Sequence, residues 1–155
     1  MNIRNLFMVI MILLVSSCSK SPVELFDLAE QELKQDTSNL AINNLKLLIS
    51  KHPNDSLASK AQYKLASVYL NWQDEISLGL EALKITVSDY PQTIHAKQAQ
   101  KEIGRFPQYL MDKGESLRKQ KKLKESVDHL MYLTKYYSNS DIASKGQYMI
   151  GDVYM

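Results

Sequence analysis

"SKHPNDSLASKAQYKLASVY", residues 50–69, decides the fold, because two further stretches of the chain repeat its pattern. Residues 88–106 read "SDYPQTIHAKQAQKEIGRF" and residues 135–154 read "KYYSNSDIASKGQYMIGDVY". Aligned on Pro53, Pro91 and Ser138, they bring Ala58, Ala96 and Ala143 into register, then Ala61, Ala99 and Gly146. Leu65, Ile103 and Ile150 follow, each with a small neighbour, Ala66, Gly104 and Gly151. The copies lie 38 and 47 residues apart, near the periods of two-helix solenoids, for which roughly 34 residues is one value.

A second pattern precedes each copy. "NLAINNLKLLIS" (39–50), "ISLGLEALKITV" (76–87) and "LKESVDHLMYLT" (123–134) carry apolar residues at intervals of three and four, as Leu40, Ala41, Leu45, Leu48 and Ile49 do. That spacing predicts one buried helix face. Ala41, Gly79 and Ser126 hold one equivalent place, with Leu45, Leu83 and Leu130 four residues later. Antiparallel helices approach closely only where one offers a small residue, while large apolar partners fill the adjoining space. Packing alone therefore accounts for the pattern.

With 5 glycines and 4 prolines, and no alternating stretch long enough to argue for a strand, the chain is predicted to be all-α. The expected helices are 23–35, 38–51, 56–71, 75–89, 93–105, 108–120, 122–136 and 141–155. Asp36, Thr37 and Ser38 offer one start signal, and Asn54, Asp55 and Ser56 another. The middle copy departs from the others, with Lys101 and Pro107 where they carry tyrosines. Pro107 is expected to break the helix, so that "QYLMDKGESLRKQKK" (108–122) forms a separate helix and lengthens the second period.

The phrases "HPNDSLASKAQYKLASVY" and "YYSNSDIASKGQYMIGDVY" resemble the divergent tetratricopeptide repeats of exported bacterial proteins. They are similar to those of BamD-type lipoproteins of outer-membrane protein assembly and of YbgF-type Tol-associated periplasmic proteins. The resemblance covers about residues 24–155 and is best at 50–69 and 135–154. It implies a tetratricopeptide-like helical-hairpin solenoid, with about three units in 23–155, that binds other proteins or peptide segments.

The chain's one cysteine stands in "LLVSSCSKS", residues 13–21. An apolar run from Leu6 to Val15, after Arg4, is too short for a membrane span of roughly 20 residues. It has the length and flanks of a secretory signal core. Leu14-Val15-Ser16-Ser17-Cys18 resembles the lipobox of bacterial lipoproteins, which implies cleavage before Cys18 and lipidation of its thiol. Residues 1–17 then form the signal peptide and 18–22 a lipidated tether; two or more acyl chains anchor stably where one does not. Ser19, rather than Asp, implies by the same resemblance the outer membrane, facing the periplasm. With no second thiol, an intrachain disulfide is excluded.

Nothing in the sequence points to catalysis. Lys+Arg 19 against Asp+Glu 17 implies neither nucleic acid nor an acidic surface as partner. His52, His95 and His129 form no His-x-x-x-His or Glu-x-x-His pair of the kind that places metal ligands on one helix face. The glycines are isolated, no serine sits in a Gly-x-Ser-x-Gly elbow, and no cofactor or small-molecule substrate is expected. His129 reads as a satisfied or partly exposed histidine, and the basic "RKQKKLK" (118–124) as a solvated turn. Most tyrosines read as core with a hydroxyl at the surface. Tyr63, Tyr69 and Tyr148 are candidates for a partner-binding surface, where aromatic residues serve as anchors.

The expected function is therefore that of a non-enzymatic interaction scaffold in the cell envelope, outer-membrane protein assembly being its most specific form. A cell-wall, division or Tol-associated factor and an export-system adaptor are the alternatives. The last helix, with Met149, Ile150, Val153, Tyr154 and Met155, lacks the polar face a terminal solenoid unit needs. It is expected to continue into further repeats, to cap the array or to dock on another chain.

Overall fold

A computed structural model describes residues 20–154, which form eight helices with no strand among them. These are α1 (Pro22–Lys34), α2 (Ser38–Lys51), α3 (Ser56–Asn71), α4 (Ile76–Asp89), α5 (Ile94–Gly104), α6 (Phe106–Lys119), α7 (Leu123–Tyr136) and α8 (Ala143–Tyr154). The signal segment and Cys18 lie outside the described residues. The periodicity thus placed every helix, with boundaries shifted by at most a few residues.

Local chemistry sets the starts. Ser21 and Glu24 form a capping box on α1: the Glu24 N–H donates to Ser21 Oγ at 3.2 Å and the Ser21 N–H to Glu24 Oε2 at 2.7 Å. Asp55 caps α3 by accepting the Leu57 N–H at 2.8 Å, and Thr93 caps α5 by accepting that of Ala96 at 3.1 Å. Thr37 precedes α2 but does not cap it; its hydroxyl donates back to the Glu32 carbonyl at 2.9 Å.

The repeat also appears in the turns. His52, Tyr90 and Tyr137 each close the preceding helix, and the N–H of Asp55, Thr93 and Ser140 then donates to their carbonyls at 2.8–3.0 Å. The turns within hairpins share a left-handed residue: Asp36, Asp74 and Lys121 have φ of 58°, 57° and 61°. Asp reaches that region at low cost through its short polar side chain, whereas Lys121 adopts it without that compensation.

The helices assemble as hairpins α1–α2, α3–α4 and α6–α7, with α3 stacked on α2, α5 on α4 and α8 on α7. Small residues sit at the tight places. Ala41, Gly79 and Ser126 are buried, as are Leu45, Leu83 and Leu130. A Cβ on Gly79 would overlap the Leu70 side chain, and one on Gly114 would lie 2.8 Å from that of Leu130. Gly104 and Gly151 behave differently from Ala66, which is fully buried: both are exposed, with nothing within 4 Å of an added Cβ. Among the described residues no helix covers their side of α5 and α8.

The middle unit divides one job between two helices. α5 packs on α4 and α3 as α3 packs on α2 and α1, yet it is α6 that pairs with α7. Arg105 is the only residue between α5 and α6, and Pro107 sits in the first turn of α6, where its missing N–H costs nothing. The extra helix is therefore the second half of a split first helix. Phe106, 1% exposed, and Tyr109, whose hydroxyl donates to the Leu70 carbonyl at 3.2 Å, seat α6 against the end of α3. His129 of α7 joins this seam: Nδ1 lies 3.0 Å from the Glu125 carbonyl oxygen and Nε2 3.5 Å from Asp74 Oδ1. The sequence predicts a satisfied or partly exposed histidine; the ring is instead 1% exposed and only half satisfied, Nε2 having no hydrogen-bond partner, because the seam closes over it.

These contacts give opposite signs to two similar substitutions. Gly79→Ala should lower stability, because overpacking costs about 1–3 kcal/mol and outweighs a propensity gain of about 1 kcal/mol. Gly104→Ala, facing open space, should raise stability by up to about 1 kcal/mol. Urea unfolding midpoints of the two variants test this, and a shift of both in one direction would contradict it.

Candidate partner-binding surface

The face formed by α3, α5 and α6 carries a groove of about 320 Å³. Tyr63, Ser67, Leu70 and Asn71 line it from α3, one stripe at helical spacing, and Glu102, Arg105, Phe106 and Tyr109 close it. Because α5 stops at Gly104 and α6 begins at Phe106, the split brings charged and aromatic side chains together in one stretch. A second recess continues it along α6 from Arg105 and Tyr109 past Asp112 and Lys113.

Polar contacts hold the walls. The Tyr63 hydroxyl donates to Glu102 Oε1, and the Asn71 side-chain amide donates to the Ser67 carbonyl at 3.0 Å. Below them, Ser59 Oγ lies 3.0 Å from His95 Nδ1, and the His95 and Tyr63 rings are 6.1 Å apart. Phe106 stacks on Tyr109 at 5.3 Å.

Burial, followed by the hydrogen bond and charge of Glu102, pushes the Tyr63 phenol up to about 12. Burial, followed by the charge of Asp74, does the same for Tyr109, also to about 12. Both phenols thus remain neutral donors at any physiological pH. His95 is shifted down, first by burial and then by Lys60, so the fold favours its neutral ring. The groove offers aromatic faces, hydroxyl and amide groups and one charge of each sign at its mouth. That set suits contact with a peptide segment, through its backbone and an apolar side chain.

The three candidate tyrosines are not brought together. Tyr63 lines this groove; Tyr69 is 8% exposed and packs between α2, α3 and α4; Tyr148 is 72% exposed on α8. Tyr69 therefore belongs to the core. Sequence reasoning missed Glu102, Arg105, Phe106 and Tyr109 because they lie where the middle copy leaves the repeat pattern. The aromatic pair three residues apart at the start of a new helix was the available signal. The basic segment forms the end of α6 and the α6–α7 turn, with Arg118 paired to Asp152 and Lys119, Lys121, Lys122 and Lys124 exposed. Among the described residues no group of three or more His, Cys, Asp or Glu is placed to hold a metal ion, and no helix is long and apolar enough to cross a membrane.

A family model for the tetratricopeptide repeat matches residues 60–93, which run from within α3 through α4 to the cap of α5. No curated protein matches the chain. The fold is an all-α, tetratricopeptide-like array of helical hairpins, and the match points to a protein-interaction scaffold.

The raised phenols have a measurable consequence. Folded values above the ordinary 10 mean that the stability tied to the neutral rings is complete below about pH 10 and is lost as pH rises toward 12. Tyrosinate absorbance should show late-titrating groups that Tyr63→Phe and Tyr109→Phe remove. The double variant should also lose stability less steeply over that interval; an unchanged titration curve would contradict the assignment.

Proposed function

We propose that this protein is a lipid-anchored interaction scaffold of the bacterial cell envelope, acting in outer-membrane protein assembly in the manner of BamD-type lipoproteins. The observation that carries the interaction role is the groove of Tyr63, Arg105 and Tyr109 on a hairpin array. The anchor reading is supported by the apolar run Leu6–Val15 and the lipobox-like window ending in Cys18. In this reading signal cleavage leaves Cys18 as the lipidated amino terminus and Ser19 directs the protein to the outer membrane. The tether then ends at once in the capped start of α1, so the array is held close to the bilayer.

Partners are envelope proteins or their extended segments, and the groove binds without covalent chemistry. YbgF-like action at the cell wall or the Tol system and service to an export system are the competing assignments, and the partner separates them.

Two measurements test the proposal. Cys18→Ser should move the protein from the membrane to the soluble fraction in high salt without altering its helical circular dichroism, since Cys18 precedes every described helix. Persistent membrane attachment would refute the lipid anchor. A photo-cross-linking amino acid at Ser67 of the full lipidated chain, in its native envelope, should capture a component of β-barrel assembly. Capture of wall-associated or transport proteins instead would keep the scaffold and replace the assembly role.

A further inference from the structure

The α6–α7 turn departs, always in one direction, from the chemistry of the other two hairpin turns. The repeat periods of 38 and 47 residues align its Lys121 with Asp74 and Asp36, and Gln120 with Gln73 and Gln35. The three aligned residues are all left-handed, with φ of 61°, 57° and 58°. In the same register Lys122 aligns with Glu75 and Thr37, and Lys124 with Ser77 and Asn39. Three places that carry no cation in either earlier copy thus all carry lysine in the third.

Each exchange works against the fold. Lysine lacks the short polar side chain that eases the left-handed region. α7 begins at Leu123, and a helix N-terminus, where partial positive charge gathers, favours acids over cations. Residues 118–124 hold five basic side chains and no acid. Of the acids nearby, Asp152 pairs with Arg118 and Glu115 with Lys145, which leaves Glu125 and Asp128 further along α7. Lys119, Lys121, Lys122 and Lys124 are exposed and make no ion pair among the described residues. Local rules broken together, with no compensation inside the fold, point to a demand from outside it.

Shape and residue type identify that demand. Residues 119–125 are exposed without interruption, so the turn projects into solvent. Leu123 stands among the lysines at 46% exposure, whereas Ile76, at the aligned place, packs partly buried against the core. Interfaces between proteins are poor in Lys and rich in Arg, whose planar fork suits paired carboxylates. An anionic lipid surface instead attracts clustered lysines through its diffuse field. Lysine stems can lie along the apolar boundary with their ammonium groups at the phosphates, while an apolar residue between them enters it.

We propose that the α6–α7 turn is a membrane-contact tip, at which Lys119, Lys121, Lys122 and Lys124 engage the phosphates of anionic phospholipids and Leu123 enters between the headgroups. The tip shares no residue with the Tyr63 groove. A lipid at Cys18, on the reading above, tethers the chain ahead of α1 and leaves the array free to turn. A second contact at the α6–α7 turn fixes which side faces the bilayer. The contact itself does not depend on the tether.

The test reads the tip alone. In the full chain Trp72→Phe removes the one tryptophan and Leu123→Trp places an indole at the tip. Its emission is followed with vesicles of phosphatidylcholine, or of phosphatidylcholine and phosphatidylglycerol in equal parts. Anionic vesicles should shift the emission to shorter wavelength and brominated acyl chains should quench it, high salt reversing both; neutral vesicles should leave it unchanged. Lys121→Asp, the residue of the other two turns, should weaken the response to anionic vesicles about tenfold or more while leaving the chain at least as stable to urea. Lys122→Gln with Lys124→Gln should weaken it likewise. An indole that ignores both vesicles, shifts equally with both, or responds equally in the Lys121→Asp chain would overturn the proposal. So would saturable binding of poly-glutamate by a chain whose indole ignores anionic vesicles, which would assign the tip to an acidic protein segment. The Cys18→Ser fractionation reads the anchor, so either result can fail alone.

Discussion

Two helices close most tightly where one offers a glycine or another small residue, and this array meets that condition with a glycine in two of its three hairpins and with Ala41 in the first. Gly79 lies against Leu70, and Gly114 against Leu130. Gly146 extends the rule to the contact between units, where its Cβ would meet Leu133 at 3.0 Å. Where the small residue is polar, the backbone satisfies it: the Ser126 hydroxyl donates to the Gly114 carbonyl at 2.7 Å. Close approach then lets Leu45, Leu83 and Leu130 reach full burial, worth roughly 1.5–3 kcal/mol each. The left-handed residues at Asp36 and Lys121 follow from the same demand. A hairpin this tight must reverse within a few residues, and there the N–H of Thr37 and Lys122 donates five residues back to the Glu32 and Leu117 carbonyls.

The split at Arg105 turns a regular array into one with a distinctive surface. An unbroken first helix from Ile94 to Lys119 would carry α4's partner and α7's partner on one rod. With the break, each half adopts its own packing: α5 against α4, and α6 against α7 and the end of α3. Tyr109, His129 and Asp74 meet at the joint, and its outer side is the groove of Tyr63 and Arg105. The departure from the repeat and the candidate site therefore have one origin.

Much of this was legible before any coordinates. The intervals of three and four located all eight helices, and the aligned alanines and glycines identified the hairpins. The cap at Asp55 and the helix break before Pro107 were also readable, because short-range sterics and hydrogen bonding decide them. What resisted reading depended on which helix lies over a position. Tyr69 and Tyr154 share a motif place, yet α4 packs beside one while, among the described residues, nothing covers the other. Gly104 and Gly151 align with buried Ala66 but face no neighbour. The Tyr63 groove was hidden because its second wall comes from residues that break the pattern on which the reading relied. Cys18 and the signal segment lie outside the described residues, so their reading stands on the sequence alone.

In a stacked array each helix draws stability from the units on both sides. α3 has α1 and α2 behind it and α4 and α5 in front, whereas α8 is held among the described residues by α7 and α6 alone. Its inner face is nonetheless built for burial: Met149 is 4% exposed, Gly146 is buried, and Ile150 is half covered. Any ligand selective for the folded array stabilises it in proportion to the logarithm of its concentration. The Tyr63 groove, walled by helices packed on both sides, is already formed, so a partner seated there stabilises the array without having to order a new unit.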